Sequence, residues 1–190
     1  MLLLVGLGNP GSTYTNTRHN IGFKIIDAIN AHFKLSKQKP KFKGLLTTGN
    51  IDEKKIYAIK PLTFMNNSGT AIKELIDYFK IDAKDVFVFH DDMDIDFGKI
   101  KAKFGGSSAG HNGIESIDKF IGKDYSRVRI GIGHPKKKKK VNNHVLEDFK
   151  EDEEEKINEI TENIVKQLPT LIEKKIDLFS SKVNQDLNGI

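Results

Sequence analysis

Short apolar segments alternate with amphipathic segments along the chain, and this pattern predicts a layered α/β fold. Residues 2–5 form a continuous apolar run closed by Gly6, which is typical of a strand buried on both faces. From Asn20 onward apolar residues recur at helical spacing, and we predict that Asn20 caps this helix. Further strands are predicted at residues 43–49, 55–60, 86–89, 99–104 and 127–132.

Apolar residues recur at helical spacing in several of the segments between these strands. Helices are predicted at residues 68–79, with Ser68 as the cap, and at residues 111–120. From about residue 147 to 190 the chain becomes acidic and helical, and Pro169 is expected to separate two helices there. We therefore predict a single three-layer domain over residues 1–190: a twisted, mixed, mostly parallel sheet that includes a hairpin, with helices on both faces.

Charge is distributed unevenly along the chain. Residues 147–190 contain 12 acids and 6 bases, which leaves 25 bases and 14 acids in residues 1–146, a net charge of +11. A surplus of this size can attract a polyanion such as nucleic acid to one part of the surface. A lysine-rich background composition explains the charge equally well, so composition alone leaves both interpretations open.

Composition excludes several classes of protein. The chain has no cysteine, which excludes disulfides, thiolate metal sites and a cysteine nucleophile. No apolar run approaches the roughly 20 residues that span a bilayer, and the apolar start is too short for a signal peptide. We therefore expect a cytoplasmic protein without a membrane segment, whose chemistry depends on His, Asp, Asn, Lys or Ser.

The first loop, GLGNPG at residues 6–11, matches the G-x-G-x-x-G pattern of dinucleotide-binding proteins. That motif requires a helix directly after the glycines, with its N-terminus facing the pyrophosphate. Here a polar loop follows, and the helix is predicted to begin only near Asn20. The motif also requires an acidic residue at the end of a second strand, and Asp27, the acid nearest to that position, lies inside the predicted helix. The sequence therefore favours a function other than nucleotide binding.

A cluster of acids follows the strand at residues 86–89. Three of them have the alternating spacing of a calcium loop: Asp92, Asp94 and Asp96. Phe97 stands where that loop requires glycine and Lys103 where it requires glutamate, which argues against calcium. A magnesium-dependent nuclease stays open as an alternative. So does a purely structural interpretation, in which the acids are solvated or cap amides and His90 is a hydrogen-bonded core residue.

Chemically capable polar residues follow several of the predicted strands. They are Asn9, His19, Asn66, Asp91, His111 and Asn112. The carboxyl ends of strands in an open α/β sheet converge on one crevice, where ligands usually bind. His19 and Asp91 could act there as a base and its orienting carboxylate, and the asparagines could hydrogen-bond a peptide backbone. Each asparagine taken singly is more typical of a turn or cap, and it is their coincidence in separate loops that indicates a site.

Six segments of the chain resemble, in order, the motifs of the bacterial-type peptidyl-tRNA hydrolases. They are VGLGNPG at 5–11, TRHNIGF at 17–23, KPLTFMNNSG at 60–69, HDDMD at 90–94, GGSSAGHNG at 105–113 and RVRIGIGHP at 127–135. The resemblance covers the chain to about residue 150. It implies a monomeric enzyme that hydrolyses the ester joining a peptide to the 3′ end of tRNA, releases the tRNA for reuse, and needs no cofactor or metal.

The resemblance also implies roles for individual residues. His19 is similar to the family's catalytic base and Asp91 to its partner. Residues that match peptide-binding or cleft positions are Asn9, Tyr14, Phe64, Met65, Asn66, His111 and Asn112. Lys101 and Lys103 match positions that bind tRNA phosphate, and Arg129 is expected to join that surface.

Two positions depart from the family's pattern. Lys136 stands where glycine is common, and Asn67 replaces a usually apolar residue. The lysine run at residues 136–140 also supports a different hypothesis, a non-catalytic RNA-binding module, although it lacks the interleaved aromatic residues that stack on bases. Cleavage of the ester distinguishes an enzyme from such a module.

Overall fold

The structure is a computed structural model that describes residues 1–135 and 141–187. The strands are β1 (Leu2–Gly6), β2 (Lys39–Lys41), β3 (Gly44–Ile51), β4 (Lys54–Pro61), β5 (Val86–Asp92), β6 (Ile100–Phe104) and β7 (Ser126–Gly131). The helices are α1 (Ile21–His32), α2 (Ser68–Phe79), α3 (Asn112–Ile121), α4 (Val141–His144), α5 (Glu151–Ile172) and α6 (Ile176–Leu187). None of these helices has both the length and the apolar character needed to cross a bilayer.

The strands form one mixed sheet in the order β2-β3-β4-β1-β5-β7-β6. The four central strands, β4, β1, β5 and β7, are parallel to one another, while β2, β3 and β6 pair antiparallel at the two edges. This confirms the predicted mixed, mostly parallel sheet. The hairpin is tighter than predicted, because Ile51 pairs with Lys54 and Pro61 still pairs with Gly44. The short strand β2 has no counterpart in the sequence prediction.

Apolar layers cover both faces of the sheet, which explains why β1 is apolar at every position. Leu2 and Leu4 belong to the cluster under α1, α5 and α6, whereas Leu3 and Val5 belong to the cluster under α2 and α3. Alternate residues of a strand point to opposite faces, so a strand covered on both sides needs apolar residues throughout. The helices on both faces confirm the predicted three layers.

Helix α1 approaches the ends of the strands very closely, and glycine makes this possible. A Cβ atom at Gly22 would overlap the Leu7 amide and the carbonyl oxygen of Phe89. The close approach places the turn before α1, Arg18–Asn20, at the carboxyl ends of β1 and β5. The glycine-rich loop leads into a short 3-10 turn, Ser12–Tyr14, and α1 begins only at Ile21, so the loop lacks the helix that a dinucleotide motif requires.

Neither predicted capping hydrogen bond forms. Asn20 occupies the N-cap position of α1, but its side chain bonds both backbone groups of Asn9 instead of the first turn, with N···O distances of 2.8 and 3.0 Å. The prediction for Ser68 is wrong by one residue, because Ser68 is the first residue of α2, and its hydroxyl donates to the carbonyl oxygen of Met65 at 2.9 Å. Serine often bonds a nearby backbone group in this way.

The prediction that Pro169 separates two helices is also wrong, because α5 continues through it to Ile172. Proline cannot donate to the carbonyl four residues earlier, but that loss falls within one turn of the helix end. Apolar residues on both sides of Pro169, including Leu168 and Leu171, are fully buried and hold the last turn on the sheet. The chain breaks instead near Lys174, whose φ is 64°.

Candidate active site

The predicted polar residues converge on a cavity at the carboxyl ends of β1, β4 and β5. This main cavity has a volume of about 970 Å³. Six of the predicted site residues line it: Asn9, His19, Phe64, Met65, Asn66 and Asn112. Asn9 and His19 are nearly buried, whereas Asn66 and Asn112 are exposed. The volume is within the range of roughly 300–1,000 Å³ that is usual for ligand pockets.

His19 and Asp91 are in direct contact at the floor of this cavity. Nδ1 of His19 lies 2.8 and 2.9 Å from the two carboxylate oxygens of Asp91. The Asp91 side chain is 1% exposed, and Nε2 of His19 has no hydrogen-bond partner within the described residues. Because a carboxylate only accepts, Nδ1 of His19 carries the proton, and Nε2 is left with a free lone pair.

A second histidine, His111, bonds the same carboxylate. Its Nε2 lies 2.9 Å from Oδ1 of Asp91, and its Nδ1 accepts from the backbone N–H groups of Gly113 and Ile114 at 3.2 and 3.3 Å. His111 is thus the N-cap of α3. Since Nδ1 must be unprotonated to accept, Nε2 carries the proton that His111 donates to Asp91. Local sequence carries no signal for this capping role, because histidine is not a preferred N-cap residue.

The pKa values in the triad formed by His19, Asp91 and His111 follow from burial and from the pairing of these residues. Burial alone would raise the pKa of Asp91, but attraction to His19 and His111 and their hydrogen bonds hold this pKa far below its usual value. Burial alone would lower the pKa of His19, and the charge and hydrogen bond of Asp91 outweigh it and raise this pKa above 6.5. Asp91 is therefore a permanent carboxylate, and His19 is a stronger base than a free histidine.

His90 packs against the triad and is a hydrogen-bonded core residue, as the structural interpretation of this segment predicts. It is buried, and its Nδ1 donates to the backbone carbonyl of Asp91 at 2.7 Å. Burial and repulsion by His111 lower the pKa of His90 well below its usual value, so it is neutral. Its ring packs edge-on against the ring of His111, with centroids 4.8 Å apart. His90 thus supports both Asp91 and His111 from below.

Asn9 is held rigidly at the rim of the main cavity. Its backbone is bonded by Asn20, and its Oδ1 accepts the N–H of Met65 at 2.7 Å. With Oδ1 occupied, the side chain of Asn9 offers its NH₂ group as a donor. The contact also holds the neighbouring Phe64 in a backbone conformation with φ of 59°, which is costly for a bulky residue. Such strain is typical of functional sites.

Two predicted cleft residues lie outside the lining of the main cavity. Tyr14 packs edge-to-face behind Phe64, with ring centroids 6.4 Å apart. His111 lies behind Asp91, next to a smaller cavity that it shares with Ser108 and other loop residues. Both residues thus support wall residues of the main cavity. Asn67 does line the cavity, where it replaces apolar surface by an amide, whereas residues 136–140, including Lys136, lie outside the described residues.

Arg18 is a residue of this site that the sequence analysis missed. Its guanidinium donates to the carbonyl oxygens of His144 and Glu147 and to the carboxylate of Glu153, at 3.4, 3.1 and 2.7 Å. The next residue, His19, donates its backbone N–H to the Val145 carbonyl at 2.8 Å. The segment 144–149, whose residues at 145 and 146 line the main cavity, is therefore tied directly to the turn that carries His19.

The predicted phosphate-binding residues lie together at the β6 edge of the sheet. Lys101 is directly opposite Arg129 in the β6–β7 pair, and Lys103 alternates with Lys101 along β6. Lys101 is exposed, and burial together with repulsion by Arg129 and a further arginine lowers the pKa of the partly buried Lys103. Arg129 donates to Asp92 at 2.7 Å, so it also anchors the residue next to Asp91.

The triad is also the one group among the described residues whose atoms are close enough to share a metal ion. The ligand atoms of His19, Asp91 and His111 lie within 4.8 Å of one another. These atoms already hydrogen-bond one another, and a metal would have to displace both N–H donors. The group has a single carboxylate, which suits magnesium poorly, and Asp92 is occupied by Arg129. The arrangement thus fits an acid–base site better than the alternative of a magnesium nuclease.

A histidine that faces a cavity, is deprotonated on the cavity side and is oriented by a carboxylate is typical of the class of hydrolytic enzymes. The chain belongs to the peptidyl-tRNA hydrolase family, whose sequence model matches residues 3–189.

Individual relatives agree with this assignment. The chain is 72% identical to the peptidyl-tRNA hydrolase of Pelagibacter ubique over 97% of this chain and 99% of the relative. It is 46% identical to that of Ehrlichia ruminantium over 95% and 93% of the two chains. The crystal structure of the Acinetobacter baumannii peptidyl-tRNA hydrolase superposes with a TM-score of 0.90 at 34% identity, over 97% and 94% of the two chains.

The proton positions in the triad can be measured directly. At a pH above the pKa of His19, we expect ¹⁵N NMR to show protonated Nδ1 in His19 and protonated Nε2 in His111, because Asp91 accepts from both atoms. His32, which is exposed on the surface, serves as the reference for a ring without such constraints. A proton on Nδ1 of His111 would contradict the capping arrangement.

Proposed function

We propose that this protein hydrolyses the ester between the peptide and the 3′ end of tRNA in peptidyl-tRNA, with His19 as the general base for water. The observation that carries the proposal is the His19–Asp91–His111 triad, which leaves one basic nitrogen in a cavity lined by asparagine amides. The family membership supports the substrate. Asp91 orients His19 and stabilises the imidazolium that forms when His19 takes the proton.

The asparagines are suited to holding the peptide and the reacting carbonyl. Asn9, Asn66 and Asn112 line the main cavity from three different segments of the chain. An amide side chain can donate to a carbonyl and accept from an N–H, which matches the peptide bond next to the ester. The NH₂ group of Asn9 is a candidate donor to the charge that develops on the tetrahedral intermediate, as is Asn112.

The protein is proposed to act as a monomeric, single-domain enzyme of the cytoplasm. Membership of a family that acts on peptidyl-tRNA supports this location. The basic β6 edge supports an extended contact with tRNA, in which Lys101 and Lys103 bind phosphate and Arg129 reinforces the surface. A non-catalytic RNA-binding module is the alternative, but binding RNA does not require two histidines bonded to one buried carboxylate. The arrangement therefore favours the enzyme.

The decisive assay compares peptidyl-tRNA with free aminoacyl-tRNA, each with and without a chelator. We expect ester cleavage of peptidyl-tRNA in both conditions and much slower cleavage of aminoacyl-tRNA, whose charged amino group cannot replace the peptide bond. His19→Ala should lower kcat by roughly a hundredfold to ten-thousandfold while substrate still binds, because the base is removed. Intact ester with the wild-type protein, or wild-type turnover by His19→Ala, would contradict the proposal.

The pH dependence of kcat/KM tests the role of Asp91. The neutral form of His19 is the active one, so activity should rise with pH through a pKa that Asp91 keeps above 6.5. In Asp91→Asn the remaining effect of burial lowers that pKa, and the inflection should move to lower pH while turnover decreases. Asp94, an exposed carboxylate in the turn directly after β5, provides the matched control, and Asp94→Asn should leave the inflection in place. An unchanged inflection in Asp91→Asn would refute the coupling.

The basic surface is tested by a double substitution at the β6 edge. Lys101→Ala with Lys103→Ala should weaken binding of peptidyl-tRNA and reduce the salt slope by roughly one unit for each phosphate that is no longer neutralised. Hydrolysis of a minimal peptidyl-adenosine ester should hardly change, because it lacks the tRNA backbone. Lys39→Ala with Lys41→Ala removes the same charge, at the same spacing, from the opposite edge strand. Equal effects of the two double variants would contradict a specific tRNA surface at β6.

A further inference from the structure

A second cavity adjoins the main cavity on the side away from the basic edge. It has a volume of about 450 Å³ and lies between the glycine-rich loop, α1 and the β3–β4 hairpin. Asn9 lines both cavities, so they meet at this residue. Apart from Asn9, the second cavity contains none of the residues to which the proposed reaction assigns a role. Its lining and its place in the fold indicate which part of the substrate it suits.

The lining of the second cavity combines an apolar surface with two lysines that form ion pairs. Phe23, Leu45 and Leu62 supply the apolar part. At one end the buried ammonium of Lys60 lies 2.6 and 2.8 Å from the carboxylate oxygens of Asp27, which is half exposed. Apolar walls with a few polar groups are typical of ligand sites. Lys24 also lines this cavity, and its ammonium lies 3.6 Å from the carboxylate of Glu154. With both lysines paired, the surface suits apolar side chains and peptide N–H groups.

The order of the strands gives the direction in which the substrate lies. The phosphate-binding lysines are on β6, beyond β5 and β7, and the triad lies where β1 and β5 end. The second cavity lies on the other side of β1, against β3 and β4. When the tRNA occupies the β6 side and the ester lies beside His19, the peptide has to leave toward β4 and β3. The second cavity is located in that direction.

We propose that the second cavity is a subsite for the part of the peptide that precedes the ester-linked residue. The inference rests on the proposed function and extends it to the peptide. Strand β3 is two strand spacings of about 4.8 Å away from β1. An extended peptide, which rises roughly 3.4 Å per residue, covers this distance with about three residues. The subsite therefore takes an extended peptide segment, centred on about the third residue before the tRNA, with preference for apolar side chains.

The test compares two substrates that differ only in peptide length. N-acetyl-aminoacyl-tRNA and an N-acetylated tetrapeptidyl-tRNA share the same tRNA and the same ester-linked residue, and both lack a free amino group. Ser12→Trp places a large ring at an exposed position on the rim of the second cavity. We expect a roughly tenfold higher KM for the tetrapeptide substrate, in the range for blocking an apolar pocket. The one-residue substrate should change by less than about twofold.

A deletion in the same wall and a matched control complete the experiment. Leu62→Ala should raise KM for the tetrapeptide substrate only, whereas Leu178→Ala, a similarly exposed leucine on α6, should change neither substrate. Equal effects on both substrates, or no change on either, would overturn the subsite. Wild-type protein that leaves both esters intact would overturn the proposed function instead, so the two failures are distinguishable.

Discussion

The site depends on the burial of one charge, the carboxylate of Asp91. A carboxylate that is 1% exposed is tolerated only when hydrogen bonds and opposite charge replace its hydration. Here the replacement comes from His19 on the turn before α1 and from His111 at the start of α3. These bonds to one buried carboxylate at the end of β5 join two helices to the central sheet at a single point. The same bonds determine which nitrogen of each histidine ring carries a proton.

The residues around this point are held before any substrate arrives. Asn20 bonds both backbone groups of Asn9, and Arg18 ties the 144–149 segment to the turn that carries His19. These side chains belong to the same short stretch of the chain, between the glycine-rich loop and α1. Electrostatic stabilisation is effective when the donors need no reorganisation during the reaction. This stretch therefore carries both His19, the proposed base, and the side chains that hold its surroundings in place.

The sheet separates the chemistry into two sides. Lys101, Lys103 and Arg129 lie on β6 and β7, where Asn184 and Ser180 of α6 bond the free edge of β6 and keep it ordered. On the other side, the second cavity has an apolar part, and its two lysines are paired, Lys60 with Asp27 and Lys24 with Glu154. The proposed substrate, a polyanion joined to a peptide, matches this distribution. In that proposal the ester lies between the two sides, at the carboxyl ends of the central strands.

The sequence by itself determined the class of fold, most of the strands and helices, and the types of residue at the site. These features depend on periodicity, on local turn chemistry and on motifs, all of which lie within a few residues of one another. The same local view was wrong about the side-chain bond of Asn20, which goes to Asn9 in the preceding loop and not to the first turn of its helix. It was also wrong for Pro169, where burial of the neighbouring leucines outweighs one missing hydrogen bond.

Only the tertiary structure decided which of these residues meet. Asp91 is 72 residues from His19 and 20 residues from His111 along the chain, and the contact of the three depends on β1 lying beside β5 and on glycine allowing α1 to approach. The role of Arg18 depends on carbonyl groups more than 120 residues away. Pairings at this distance are selected by the packing of whole layers and by the need to satisfy buried polar groups, and neither is encoded in local spacing.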